Sequence, residues 1–212
     1  MSFQCDRCGQ CCRTHRVPLT VTDLRRLSQT IQGTRISDCV EWLDSESVDF
    51  DDEPESFLEL REGRRVPFLR HVPADAQAQS TMGAPQSQCV FLGQYGCQVF
   101  SARPSACRSY PYDRLMVHQN QRRLTLAPAV QCPEATDVLV TLKSAPQLDP
   151  TAQRFAHDIA VRDAELSAHA TWVARHNRLM RVLVRMGRPR LSATETVRRM
   201  LGPEPPAEHS PE

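Results

Sequence analysis

Nine cysteines in 212 residues are what this chain offers for chemistry. Cys5, Cys8 and Cys11 follow one another at two-residue gaps, and Cys12 comes directly after. A tight loop with Cys-x-x-Cys spacing turns successive sulfurs inward onto one centre, with Gly9 relieving the backbone crowding this creates. The same spacing opens the iron-sulfur run of bacterial ferredoxins, whereas zinc sites more often use separated Cys-x-x-Cys pairs. The first loop therefore leans toward an iron-sulfur cluster and leaves zinc open. Cys12 is the odd member. Adjacent side chains tend to diverge, so it is expected to serve a second, neighbouring centre.

Four more cysteines lie downstream. Cys89-Val-Phe-Leu and Gly96-Cys97-Gln-Val-Phe read as two short strands joined by a turn at Gly93 to Gly96, which would bring Cys89 and Cys97 together. Ser101 to Pro111 reads as a one-turn helix that begins at Ser101 and carries Cys107. Four thiolates around Zn²⁺ or a cluster leave net negative charge, and Arg103 and Arg108 are placed to offset it. Cys132 precedes Pro133, an order also found at the end of the ferredoxin run.

Phe3-Gln-Cys5-Asp-Arg-Cys8-Gly-Gln-Cys11-Cys12, Cys89-Val-Phe-Leu-Gly, Gly96-Cys97-Gln-Val-Phe and Arg103-Pro-Ser-Ala-Cys107-Arg-Ser-Tyr-Pro111 resemble the CxxCxxCC family of zinc- or iron-chelating proteins. The resemblance covers roughly residues 1 to 143, including the Leu19-Thr20-x-x-Asp23-Leu24 helix start. It implies that Cys5, Cys8, Cys11, Cys12, Cys89, Cys97, Cys107 and Cys132 are metal ligands. It also implies an iron-sulfur cluster or zinc as cofactor. A relative in that family, the flagellin lysine methylase, joins such a cysteine module to protein methylation. It is a longer chain, and no glycine-rich nucleotide loop occurs here.

Cys39 falls outside this pattern. It sits beside Val40 and Leu43 on what reads as an apolar helix face, so burial is its expected state. His15 is an alternative ligand close to the first loop, while His157, His169 and His176 are expected on a solvated helix face. No Ser-His-Asp order, HExxH, Walker loop or paired carboxylates occur, so enzymatic function has no direct sequence support. Three functions compete: a redox or interaction module holding a cluster or zinc, a purely structural zinc scaffold, and a cluster-dependent enzyme that modifies a protein side chain.

The elements that must position these thiols follow from punctuation and periodicity. Thr20 and Asp23 form a capping box ahead of Leu24, Leu27 and Ile31. A second short helix is expected from Ser37 through Cys39 and Trp42, followed by a solvated acidic stretch from Asp44 to Glu55. Ser56 to Arg61 and Arg65 to Arg70 flank Glu62-Gly63 as a hairpin, with Pro67 placing its strand at an edge or bulge. Residues 72 to 88 read as a loop. A long helix opens at Asp149-Pro150 and runs to Gly187, with Ile159, Leu166, Val173 and Met180 recurring every seven residues. Ser192 and Glu195 cap a last helix that ends at Leu201, before Gly202 and Pro203.

The fold expected is α+β: a small, irregular, metal-nucleated cysteine-cluster domain (1–143), a helical appendage (149–202) and a disordered acidic tail (203–212). Because residues 1 to 143 are rich in loops, the metal is expected to be integral to folding, and chelation to unfold the domain. Net charge is +1, so no whole-molecule field draws the chain to nucleic acid or membrane. With no long apolar run and no signal-like stretch in its first residues, the expected address is the cytoplasm, where thiols stay reduced and metal chemistry outranks a disulfide framework. The basic C-terminal helices have two candidate counterparts, the acidic stretch from Asp44 to Glu55 within the chain and an external acidic protein partner; no membrane is expected, and nucleic acid has no support from the few aromatics there.

Overall fold

The computed structural model describes residues 7–31, 33–47, 57–74, 87–118, 121–126, 138–141 and 150–202. They form an α+β protein with five helices and several small antiparallel sheets among the described residues. None of their helices is long and apolar enough to cross a membrane.

Helix α1 (Gln10–Thr14) carries Cys11 and Cys12, and helix α2 (Val21–Thr30) follows through the expected capping box. Asp23 Nα donates to Thr20 Oγ1 at 3.1 Å, and Thr20 Nα returns a bond to Asp23 Oδ2 at 3.0 Å. This satisfies two of the amides that a helix start leaves unpaired. Leu24 and Leu27 are wholly buried on its inner face.

The expected helix from Ser37 to Trp42 is instead a 3-10 turn (Ile36–Cys39) that runs into strand β1 (Val40–Asp44). Val40 and Trp42 suit a pleated surface, and β1 finds a non-local partner in strand β3 (Gly63–Leu69), pairing Val40 with Leu69 and Asp44 with Arg65. Strand β2 (Leu58–Leu60) forms the expected hairpin with β3, Leu60 opposite Gly63. Sheet order is β1-β3-β2, so Pro67 lies in the central strand and not at an edge. It is tolerated because β2 pairs only as far as Arg65, and the side where Pro67 lacks an N–H meets the 17–19 segment. There the Pro67 carbonyl accepts Leu19 Nα at 2.9 Å.

Strand β4 (His71–Pro73) pairs with β5 (Ser87–Cys89), so both ends of the expected 72–88 loop are strand; residues 75–86 lie outside the described residues. The Cys97 hairpin is β6 (Leu92–Gly93) and β7 (Gly96–Cys97). The helical turn expected from Ser101 is a 3-10 turn (Phe100–Ala102) and then helix α3 (Ser105–Ser109), which starts after Pro104. A further sheet, β8 (Tyr112–His118), β9 (Gln121–Leu126) and β10 (Val138–Thr141), had no counterpart in the sequence reading. The acidic residues 48–55 and the tail 203–212 lie outside the described residues.

Helix α4 (Pro150–Arg185) is the longest element, and α5 (Ala193–Leu201) starts at the predicted Ser192–Glu195 capping box. The buried face of α4 includes Phe155, Ile159, Val173 and Met180, together with His169 and His176. The two histidines are therefore not on a solvated face, although His157 is exposed. They stand three residues after Leu166 and Val173, the positions that turn a seven-residue repeat into a continuous seam. His169 Nδ1 accepts Val21 Nα, a first-turn amide of α2, at 3.3 Å, and His176 stacks on Trp172 with Nε2 3.3 Å from the Glu59 carbonyl.

Asn177 covers the free edge of β2: Oδ1 accepts Glu59 Nα and Nδ2 donates to the Phe57 carbonyl, both at 2.8 Å. Edge protection and helix docking are thus one feature. The main core joins Leu24 and Leu27 of α2, Leu58 and Leu60 of β2, Val173 of α4, and Val197 and Met200 of α5. The end of α4 leaves Val182, Val184 and Met186 exposed among arginines.

Candidate metal centre

The first cysteine loop is shaped by two glycines. Gly9, at φ 75°, is the N-cap of α1, and a Cβ there would meet Leu92 Cδ1 at 2.8 Å and Arg13 Nη1 at 2.9 Å. Gly96, at φ 96°, lets the Cys97 hairpin approach the loop, because a Cβ would stand 3.1 Å from the Arg7 carbonyl. Both positions combine a left-handed backbone with close contact, which glycine alone accommodates without strain. Arg7 is itself left-handed, at φ 62°, where the chain turns between Cys5 and Cys8.

Three separate elements bring the downstream thiols to this loop: β5 supplies Cys89, β7 supplies Cys97 and α3 supplies Cys107. Cys8, Cys11, Cys12, Cys89, Cys97 and Cys107 all line one cavity, bordered by Arg7, Arg103 and Phe100. Cys8 is exposed at its margin, Cys89 is buried, and the other four are half-buried. A second cavity shares Cys11, Cys12, Cys89 and Cys107 with the first and is closed by His15 and Tyr110. His15 thus lies beside the thiols, with its ring 5.0 Å from that of Tyr110 and its Nδ1 2.7 Å from Thr14 Oγ1.

Cys11 and Cys12 do not diverge. Their thiols are hydrogen-bonded to one another, and Cys12 is in turn bonded to Cys89. The Cys12 hydrogen bond and burial raise the Cys11 pKa. At Cys12 the Cys11 bond acts downward but is outweighed by the Cys89 bond, burial and the charges of Cys89 and Cys97, leaving it pushed up to about 12. Burial is the main cause that raises Cys107 far above the usual thiol range, followed by Cys11, Cys12 and Cys97. Cys107 is half-buried and lines both cavities. Thiols that oppose each other's ionisation need a cation to become thiolates together, as a bound metal would provide.

The guanidinium of Arg103 lies 3.8 Å from the Phe100 ring centre and that of Arg7 lies 4.0 Å from it. Arg103 also favours ionised Cys11, in keeping with the offset expected of it. Arg108 does something else: its Nη2 stands 3.7 Å from Glu165 of α4. Arg7 was not singled out from the sequence, although its place between two cluster cysteines is a usable signal.

Cys5 and Cys132 lie outside the described residues. Cys39 is 1% exposed, packs in the main core and points its Sγ at the Arg35 carbonyl, 3.9 Å away. It takes no part in the cavity. Cys11, Cys12 and Cys89 are linked in succession, while Cys8, Cys97 and Cys107 line the same cavity; among the described residues no three His, Cys, Asp or Glu side chains stand at metal-holding geometry. Their chemistry nonetheless fits a soft metal or cluster, since sulfur is the shared donor and fixed cations lie beside it.

Fold and site together define an α+β protein with a thiol-lined pocket assembled from two distant stretches of chain. It belongs to the CxxCxxCC family, whose sequence model, described as "Putative zinc- or iron-chelating domain", matches residues 4–133. No curated protein and no solved structure matches the chain.

Proposed function

We propose that this protein holds zinc or an iron-sulfur cluster through Cys5, Cys8, Cys11, Cys12, Cys89, Cys97, Cys107 and Cys132, and serves as a redox or interaction module. The observation that carries this reading is the sorting of the cysteines. Six thiols from four elements line one cavity, while the ninth cysteine is sequestered in the apolar core. Burial of unligated thiols alone would not gather them beside Arg7 and Arg103. Ligation by both the N-terminal loop and the downstream cysteines would fasten the two stretches together. The exposed Val182, Val184 and Met186, set among arginines, support a protein partner at the end of α4.

Anaerobic purification, a visible spectrum and elemental analysis of iron, zinc and sulfide on one sample test the reading. Broad visible absorbance with matching iron and sulfide identifies a cluster and directs attention to redox chemistry or an enzyme; zinc without colour identifies a structural scaffold. Protein without metal, even after anaerobic reconstitution with each, refutes the proposal.

A further inference from the structure

Helix α3, which carries Cys107, has five residues and no side-chain cap. It is held from outside. Asp23 Oδ1 accepts Ser105 Nα, a first-turn amide of α3, at 2.9 Å, while Oδ2 of the same carboxylate completes the capping box of α2. Arg26 Nη1 donates to Asp23 Oδ1 at 3.0 Å and to the Arg103 carbonyl at 3.3 Å. Its Nη2 is paired with Glu165 of α4, the same carboxylate that faces Arg108, next to Cys107. At the other end of α3, Arg162 Nη1 donates to Ser109 Oγ at 3.3 Å. Every tie but the Asp23–Ser105 bond leads to α4 directly or through Arg26.

We propose that Asp23 and Glu165 are positioning residues for Cys107, so that α4, which lies beyond the family's shared segment, is a working part of the metal site. The inference rests on Cys107 being a ligand, as read above. Metal binding and docking of the N-terminal half of α4 are then linked: holding the Cys107 turn favours both, and each must strengthen the other by the same factor. The alternative role for Glu165 is electrostatic, and it has the opposite sign. Deleting a carboxylate near thiolates leaves Arg26 and Arg108 less neutralised and would tighten metal binding.

Glu165→Gln in the full-length, metal-loaded protein decides between them. Metal release into excess chelator is timed, and the thiolate charge-transfer spectrum of Co²⁺-substituted protein is recorded. Positioning predicts release faster by about tenfold or more, the scale on which outer residues act at metal sites, together with an altered Co²⁺ spectrum. Asp23→Asn should do the same. Glu195→Ala, which removes the reciprocal bond of the α5 cap and the Arg61 pair and touches no residue that holds α3, is the control; it should lower thermal stability while leaving release and spectrum unchanged. If Asp23→Asn fails to fold, Glu165→Gln carries the test alone. Wild-type or slower release with an unchanged spectrum in Glu165→Gln overturns the inference while leaving the metal reading intact. A wild-type protein that binds no metal overturns that reading, and this inference with it.

Discussion

At the scale of single residues, the separation of Cys39 from the other described cysteines is the sharpest feature. It falls outside the pattern of the resembled family and stands beside Val40 and Leu43, and the structure places it in the core through the 3-10 turn Ile36–Cys39 and β1. Cys8→Ser should therefore reduce metal content and melting temperature together. Cys39→Ser should keep metal content at the wild-type value while costing about 1–2 kcal/mol for a hydroxyl in an apolar site. Elemental analysis alongside thermal unfolding reads both; loss of metal in Cys39→Ser would show that the ligand set is wrong. The outer layer was less legible. Asp23 announces itself in sequence only as a capping residue, and its bond to Ser105, 82 positions away, cannot be read from local pattern.

At the scale of elements, α2, α5 and the extent of α4 were legible, because caps and apolar periodicity are local signals. The strand β1 was not: Val40 and Trp42 are strand-like through pairing with β3, and helix periodicity over six residues cannot register a partner more than twenty positions away. The buried seam of α4 was also misread at His169 and His176, since imidazole counts as polar in any hydrophobic pattern.

Those two histidines make docking of α4 pH-dependent. Burial lowers both to about 4, opposed by Asp23 at His169 and by the Glu59 carbonyl at His176, where Arg199 adds to the lowering. The unfolded chain, with imidazoles at 6.5, takes up more protons than the folded one as pH falls from 6.5 toward 4, so stability is full above 6.5 and declines through that window. At His169 the loss is on the order of 3 kcal/mol. His176→Phe keeps a ring on Trp172 and removes one proton-uptake site. Its melting temperature should fall less steeply between pH 6.5 and 5 than that of the wild type, and an identical slope would exclude His176 as a contributor. Asn177→Ala tests the same contact without titration. It leaves Glu59 Nα and the Phe57 carbonyl without their side-chain partner and should cost about 1–3 kcal/mol in denaturant unfolding, whereas a neutral result would mean that water replaces the amide fully.

At the scale of the whole molecule, the question is how far the metal governs folding. The sequence suggested a loop-rich domain nucleated by metal, because cysteines and prolines are visible in a sequence while the convergence of distant leucines is not. The structure contains a core in which Leu24, Leu27, Leu58, Leu60, Val173, Val197 and Met200 meet, with Cys89 in the same cluster and Cys12 and Cys97 packed against it. Each such side chain contributes roughly 1.5–3 kcal/mol on full burial. Several of them rival the order of 10 kcal/mol that metal supplies to domains with almost no core of their own. Residues 8–15 and 87–110 hold most of the thiols and reach this core through few side chains, Phe91 and Val99 with Cys89 among them, and contain none of the leucines of α2 and β2. Metal removal by chelator under reducing conditions should therefore leave most of the helical circular dichroism of α4 and α5 intact. Hydrogen exchange should accelerate in 8–15 and 87–110 and in the part of α4 near Arg162 and Glu165, with little change around Val173 to Met180. Partial unfolding of this kind would make the metal a clasp on one half of the molecule, whereas cooperative loss of all helical signal on chelation would restore it as the nucleus of the whole fold.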